Sequence, residues 1–118
     1  MPSVPITAGS EFLHGTLDVL ILKTLSWGPR HGYAIARWLE TGSDDALQIE
    51  DGSLYPALYR LEKKGWIDSE WGVTETKRKA KFYRLSRSGR AHLQRQTAEW
   101  AEFSAAVSRL LAPNAQPA

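Results

Sequence analysis

The sequence predicts a mainly helical α+β fold carrying one small β-hairpin, and three observations support this. Four stretches place apolar residues at helical spacing and end on glycine or proline. Two alternating segments, within residues 66–85, flank a polar and basic loop. A third run, EDGSLYPALYRLEKKGWIDSEW (Glu50–Trp71), reads as a helix although it contains a proline, and it closes on Lys-Lys-Gly. Packing alone gives no reason for that last combination.

The elements follow in order. MPSVPITAGSEF has prolines and no periodicity, so residues 1–12 are expected to form a flexible arm, with GSEF resembling translated cloning sites. GTLDVLILKTLSWG is apolar at Leu17, Leu20, Ile21 and Leu25, and also at Val19 and Leu22 on other sides. A strand is the rival assignment, but the length between Gly15-Thr16 and Gly28-Pro29 favours a helix that buries more than one face. HGYAIARWLETGS predicts a second helix through Tyr33, Ile35, Ala36 and Leu39. Leu47 and Ile49 then alternate with polar neighbours in a short extended segment.

On a helical wheel, Leu54, Leu58 and Leu61 share one face of the Glu50–Trp71 run with Ala57 beside them. Gly52, Pro56, Tyr59 and Lys63 fall opposite, flanked by Ser53, Tyr55 and Arg60. Because first-turn amides lack an intrahelical acceptor, Pro56 is tolerated if the helix begins near Asp51 to Ser53. WIDSEW and AKFYRL are read as hairpin strands joined by GVTETKRK. Ser86 is the expected N-cap of a long final helix, in which Leu93, Trp100 and Val107 recur every seven residues, with Phe103 and Leu110 three residues on. Pro113 stops it.

With 118 residues, 42% hydrophobic and 24% charged, the chain suits one small domain with a modest core. It has no cysteine, which excludes disulfides, thiolate metal sites and cysteine nucleophiles. His14, His31 and His92 fall on different segments without metal-binding spacing, and no glycine-rich phosphate loop occurs. No catalytic residue, metal or cofactor is therefore expected, and the chain does not read as an enzyme. The longest apolar run, Val19 to Leu22, is too short for a membrane span, so a soluble cytoplasmic protein is expected.

The net charge of +2 conceals an asymmetry: six Lys/Arg against ten Asp/Glu through Trp71, then nine against three. Between Lys77 and Arg95 lie eight basic residues and no acid. That basic stretch suits a phosphate-facing surface.

Helix, helix, short strand, helix, hairpin and long helix are the parts of a winged helix-turn-helix with an added helix. In such modules the second helix of the pair enters the major groove, here residues 52 to 64. Ser53, Tyr59, Arg60 and Lys63 are its expected contacts, with Lys77, Arg78 and Lys79 at the tip of the wing.

GTLDVLILKTL, GPRHGYAIA, EDGSLYPALYRLEKKGWI and KRKAKFYRLSRSGR, in that order over about residues 14 to 111, resemble the PadR family of bacterial transcriptional regulators. The resemblance implies a winged helix-turn-helix that binds a double-stranded DNA operator as a homodimer, usually as a repressor. It implies that Ser53, Tyr55 and Tyr59 face DNA, although the wheel puts Ser53 and Tyr55 only at the flanks. It also implies dimerisation through the C-terminal helix packed with the N-terminal one, as in the shorter subgroup with a single C-terminal helix.

The expected organisation is an arm (1–12), a winged helix-turn-helix DNA-binding domain (13–85), a dimerisation helix (86–112) and a tail (113–118). The expected dimer interface comprises Leu17, Leu20, Ile21, Leu93, Trp100, Phe103, Val107 and Leu110. Trp100 and Phe103 offer flat faces on which a small apolar effector would stack, though dry dimer packing is the simpler account of them. The rival function is a winged-helix protein-interaction module without specific DNA binding. Trp27, Trp66 and Trp71 are read as core or hairpin packing.

Overall fold

The computed structural model describes residues 6–7, 16–114 and 117. Its elements are β1 (Ile6–Thr7), α1 (Leu17–Leu25), β2 (Arg30–His31), α2 (Gly32–Gly42), β3 (Leu47–Gln48), α3 (Asp51–Lys63), β4 (Ile67–Val73), β5 (Lys79–Leu85) and α4 (Arg87–Leu111). The arm expected over residues 1–12 lies outside the described residues except for Ile6–Thr7, which pairs in parallel with Leu47–Gln48. His14 and residues 115, 116 and 118 of the expected tail also lie outside them.

Among the described residues, four helices accompany a three-stranded antiparallel sheet of order β2–β5–β4. The hairpin β4–β5 pairs Ile67 with Leu85 at its base and Val73 with Lys79 near its tip. β2 pairs Arg30 with Tyr83 and His31 with Phe82, so the hairpin gains an edge strand that the sequence did not reveal. A two-residue strand cannot display alternation, and only its partner defines it.

The core is built from the periodic faces of α1, α2 and α3: Ile21, Leu22, Ile35, Leu54, Ala57, Leu58 and Leu61 are completely buried or nearly so. Ile67 and Tyr83 close it from the sheet, and Leu93 is the buried apolar residue that α4 contributes. Beyond Leu93, α4 leaves the core.

Local chemistry sets the element boundaries. His31 caps α2 by accepting from the Ala34 amide at Nδ1 (3.3 Å). Ser86 caps α4, its hydroxyl accepting from the Gly89 amide at 3.0 Å. Asp44 and Asp45 carry the left-handed turn after α2, with φ of 50° and 61°. Gly65 turns the chain out of α3 at φ 76°, where a side chain would be strained.

α3 begins at Asp51, at the early edge of the expected range, and Pro56 then lies in the second turn. Pro56 cannot donate to the carbonyl of Gly52, an exposed residue of the same stripe.

Candidate nucleic-acid interface

The apolar face of α3 fixes its orientation. With Leu54, Ala57, Leu58 and Leu61 buried, the opposite stripe of Gly52, Pro56, Tyr59 and Lys63 is exposed. Tyr59 is 63% exposed, and the Lys63 ammonium lies 5.4 Å from its ring centroid, a contact that holds the cation beside the ring. Ser53 is half-buried at the start of the helix.

Tyr55 is partly exposed, and its ring leans on α2: a Cβ on Gly32 would lie 2.8 Å from its hydroxyl oxygen. Gly32 therefore lets Tyr55 join the starts of α2 and α3 into one surface. Arg60 differs from expectation. Its Nη2 donates to Asp18 Oδ1 of α1 at 2.9 Å, so its guanidinium is engaged within the subunit.

α3 is tied to the wing at its C-terminal end. Glu62 accepts from the Ser69 hydroxyl at 2.5 Å and lies 3.5 Å from Lys81 Nζ, one residue of each strand. Burial, with Glu62 and Tyr55 nearby, pushes the Tyr83 phenol above its ordinary value and keeps it protonated.

The wing tip spans residues 74–78. Thr74 donates its amide to the Arg78 carbonyl (2.8 Å), and its hydroxyl accepts from the Arg78 amide (3.1 Å). Lys77 occupies the left-handed region at φ 64°, a position that favours glycine. Lys77 and Arg78 are exposed in this loop, whereas Lys79 opens β5 and is a strand residue. Its ammonium lies 5.0 Å from the Trp71 ring centroid.

Trp71 and Trp27 are 64% and 68% exposed, which corrects their expected place in the packing. Trp66 is half-buried and stacks on His92 with centroids 3.6 Å apart.

The expected dimer residues divide into two groups. Leu17, Ile21 and Leu93 are buried in the subunit's own core and are not free to meet a partner; Leu20 is half-buried against that core. Trp100, Phe103 and Leu110 are exposed on α4, Val107 is half-buried, and exposed Leu111 extends the row. Trp100 and Phe103 lie 6.2 Å apart at 43°.

Among the described residues no group of three or more His, Asp or Glu is placed to hold a metal ion. No helix among them is long and apolar enough to cross a membrane.

Residues 21–95 match the model of the transcriptional regulator PadR-like family. An uncharacterized protein of Lysinibacillus sphaericus is 34% identical over 93 residues, covering 79% of this chain and 85% of that one. A transcriptional regulator from Clostridium thermocellum superposes with a TM-score of 0.79 at 30% identity, over 86% of this chain and 99% of the other. A PadR family transcriptional regulator from Eggerthella lenta is 36% identical with a TM-score of 0.73, covering 88% of each chain.

Proposed function

This chain belongs to the PadR-like family of transcriptional regulators and is a regulator, not an enzyme; from that premise we propose that it acts as a homodimeric repressor binding an inverted-repeat DNA operator. One observation carries the reading. The exposed stripe of α3, from Gly52 through Tyr59 to Lys63, lies on a helix fixed by Glu62 to a wing that carries Lys77 and Arg78 at its tip and Lys79 at the start of β5. The helix fits a major groove, and the basic tip fits the flanking backbone or minor groove. Ser53 and Tyr55 complete the contact at the helix start.

Dimerisation is supported by α4. A row of exposed apolar side chains on a helix that has left its own core calls for a covering surface, and a second copy supplies one by two-fold symmetry. Trp100, Phe103, Val107, Leu110 and Leu111 form this seam, with Leu20 at its border. Two-fold symmetry sets the operator half-sites about 10 bp, or a multiple of that, apart. A small apolar effector stacked on Trp100 and Phe103 would favour a dimer with wrongly spaced reading helices and so release DNA.

The alternative, a protein-interaction module, takes its support from exposed Trp71 and Val73 on the wing. Fluorescence anisotropy with duplexes tiling the DNA upstream of the protein's own gene, at two salt concentrations, separates the two. The repressor reading expects tight, salt-sensitive binding to one tile that Tyr59→Ala weakens; salt-insensitive or absent binding refutes it. Trp100→Ala is expected to remove the effector response and leave operator binding intact. Loss of the dimer instead would exclude the effector role.

A further inference from the structure

An open groove of about 1050 Å³ lies between α2 and the wing tip, sharing Arg78 with the surface identified from the sequence and otherwise beyond it. Tyr33, Arg37 and Thr41, one helical turn apart, form its α2 wall with Trp38 beside them. Thr74, Glu75, Thr76 and Arg78 form the wing wall, and His31 and Phe82, packed edge-to-face at 5.3 Å, lie between them. The groove is continuous with the reading surface, because Tyr55 of α3 presses on Gly32 and Tyr33 follows directly, 69% exposed.

Its charge is positive: Arg30, Arg37 and Arg78 line it against a single acid, Glu75. The Arg30 Nε is buried with no hydrogen-bond partner. Arg37 has only a long 3.7 Å contact with Glu40, and its side chain is 56% exposed, so its guanidinium can turn toward a ligand. Guanidinium and hydroxyl groups along two walls suit a row of anions. The open side suits a polymer better than an enclosed small molecule.

We infer that one strand of the operator's sugar-phosphate backbone runs through this groove between α2 and the wing tip, with Arg37 and Arg78 each holding a phosphate across it. This rests on the DNA-binding reading above. Contacts of this kind fix the position of the module on the duplex without reading sequence. They therefore appear on any duplex, whether or not the operator is known.

The test is a titration of a labelled duplex of scrambled sequence with the full chain between about 50 and 200 mM salt. Arg37→Ala should weaken binding and flatten the plot of log affinity against log salt by about 0.9. Its deficit relative to wild type should therefore shrink by about 3.5-fold across that range. Arg37→Lys should restore the slope, and Glu75→Gln should tighten binding at low salt. All three should melt like the wild type.

Wild-type slope and affinity in Arg37→Ala overturn the inference. So does weakened binding accompanied by a lowered melting temperature and an unchanged slope. If Tyr59→Ala still weakens operator binding in either case, the DNA reading survives and only the groove fails. If the wild type itself shows no salt-dependent binding, both readings fall.

Discussion

Replacing Gly89 with alanine tests how the DNA-binding module is joined to α4. Gly89 is buried in the first turn of that helix, and an added Cβ would lie 1.9 Å from the Trp66 carbonyl oxygen and 2.8 Å from its carbon. A carbon needs about 3.3 Å from such an oxygen, so backbone must move by more than about 1 Å. Both sides of the contact are occupied: the Trp66 carbonyl accepts from the Ser86 amide at 3.0 Å, and the Gly89 amide donates to the Ser86 hydroxyl at 3.0 Å.

Movement therefore loosens the Ser86 cap, worth about 1 kcal/mol. It also disturbs the Trp66–His92 stack, worth about 0.5–1.5 kcal/mol. Overpacking adds about 1–3 kcal/mol, and the better helix propensity of alanine offsets about 1 kcal/mol. The expected net loss is about 3 kcal/mol, a fall in Tm of about 12 °C for a chain of this size. Thermal unfolding followed by circular dichroism measures it. Gly52→Ala is the control, since nothing lies within 4 Å of its added Cβ. If Gly89→Ala melts within about 4 °C of wild type, the joint is not closed as described.

Other outcomes follow from the same geometry. Lys77→Gly should relieve the left-handed strain at the wing tip and stabilise the protein by about 1 kcal/mol, while DNA binding weakens and its salt slope flattens by about 0.9. Gly32→Ala should displace the exposed end of the Tyr55 ring with little change in Tm and lower operator affinity; adding Tyr55→Ala to it should cost little more. His92 is held below its ordinary value first by burial and then by Arg95 and Lys64, against the opposing pull of Glu99 and Asp18. Its folded form resists protonation, so stability is full above the unfolded value of about 6.5 and falls as pH drops below it. Melts across that range should show the loss in wild type and less of it in His92→Gln.

Periodicity identified which side of each helix is dry, because burial repeats with the helix and leaves its mark on every turn. The stripe of Leu54, Leu58 and Leu61 was legible for that reason, and Ser86 was legible as a helix start because capping is local. What stayed hidden was partnership. Arg60 looked free on the wheel, but its carboxylate partner Asp18 lies 42 residues away in sequence. Leu17 and Ile21 were known to be apolar, yet only the packed fold shows that the subunit's own core uses them. The groove beside the wing was invisible for the same reason: β2 brings the start of α2 against β5, and no local pattern reports a two-residue pairing.

Those non-local contacts also limit how a regulatory signal can travel. Arg60 ties α3 to α1, and Glu62 ties it to both strands of the wing. The Gly65 carbonyl accepts from the Ser86 and Ser88 hydroxyls at 2.6 and 2.9 Å, which fixes the start of α4 to the turn that ends α3. Each polar contact is worth little alone at an exposed site, about 0–1 kcal/mol, but together they tie the reading helix to α1, to the wing and, through the Gly65 turn, to the start of α4. In the proposed dimer, a change at Trp100 is therefore transmitted as rotation of a whole subunit. Trp100 lies about 20 Å along α4 from its first turn, so a rotation of about 10° at the seam carries that turn, and the reading helix fixed to it, by about 3.5 Å. One base step along a DNA strand is about 3.4 Å. A rotation of about 10° at the seam would thus be enough to move the two reading helices out of register with an operator, without any bending of the module itself.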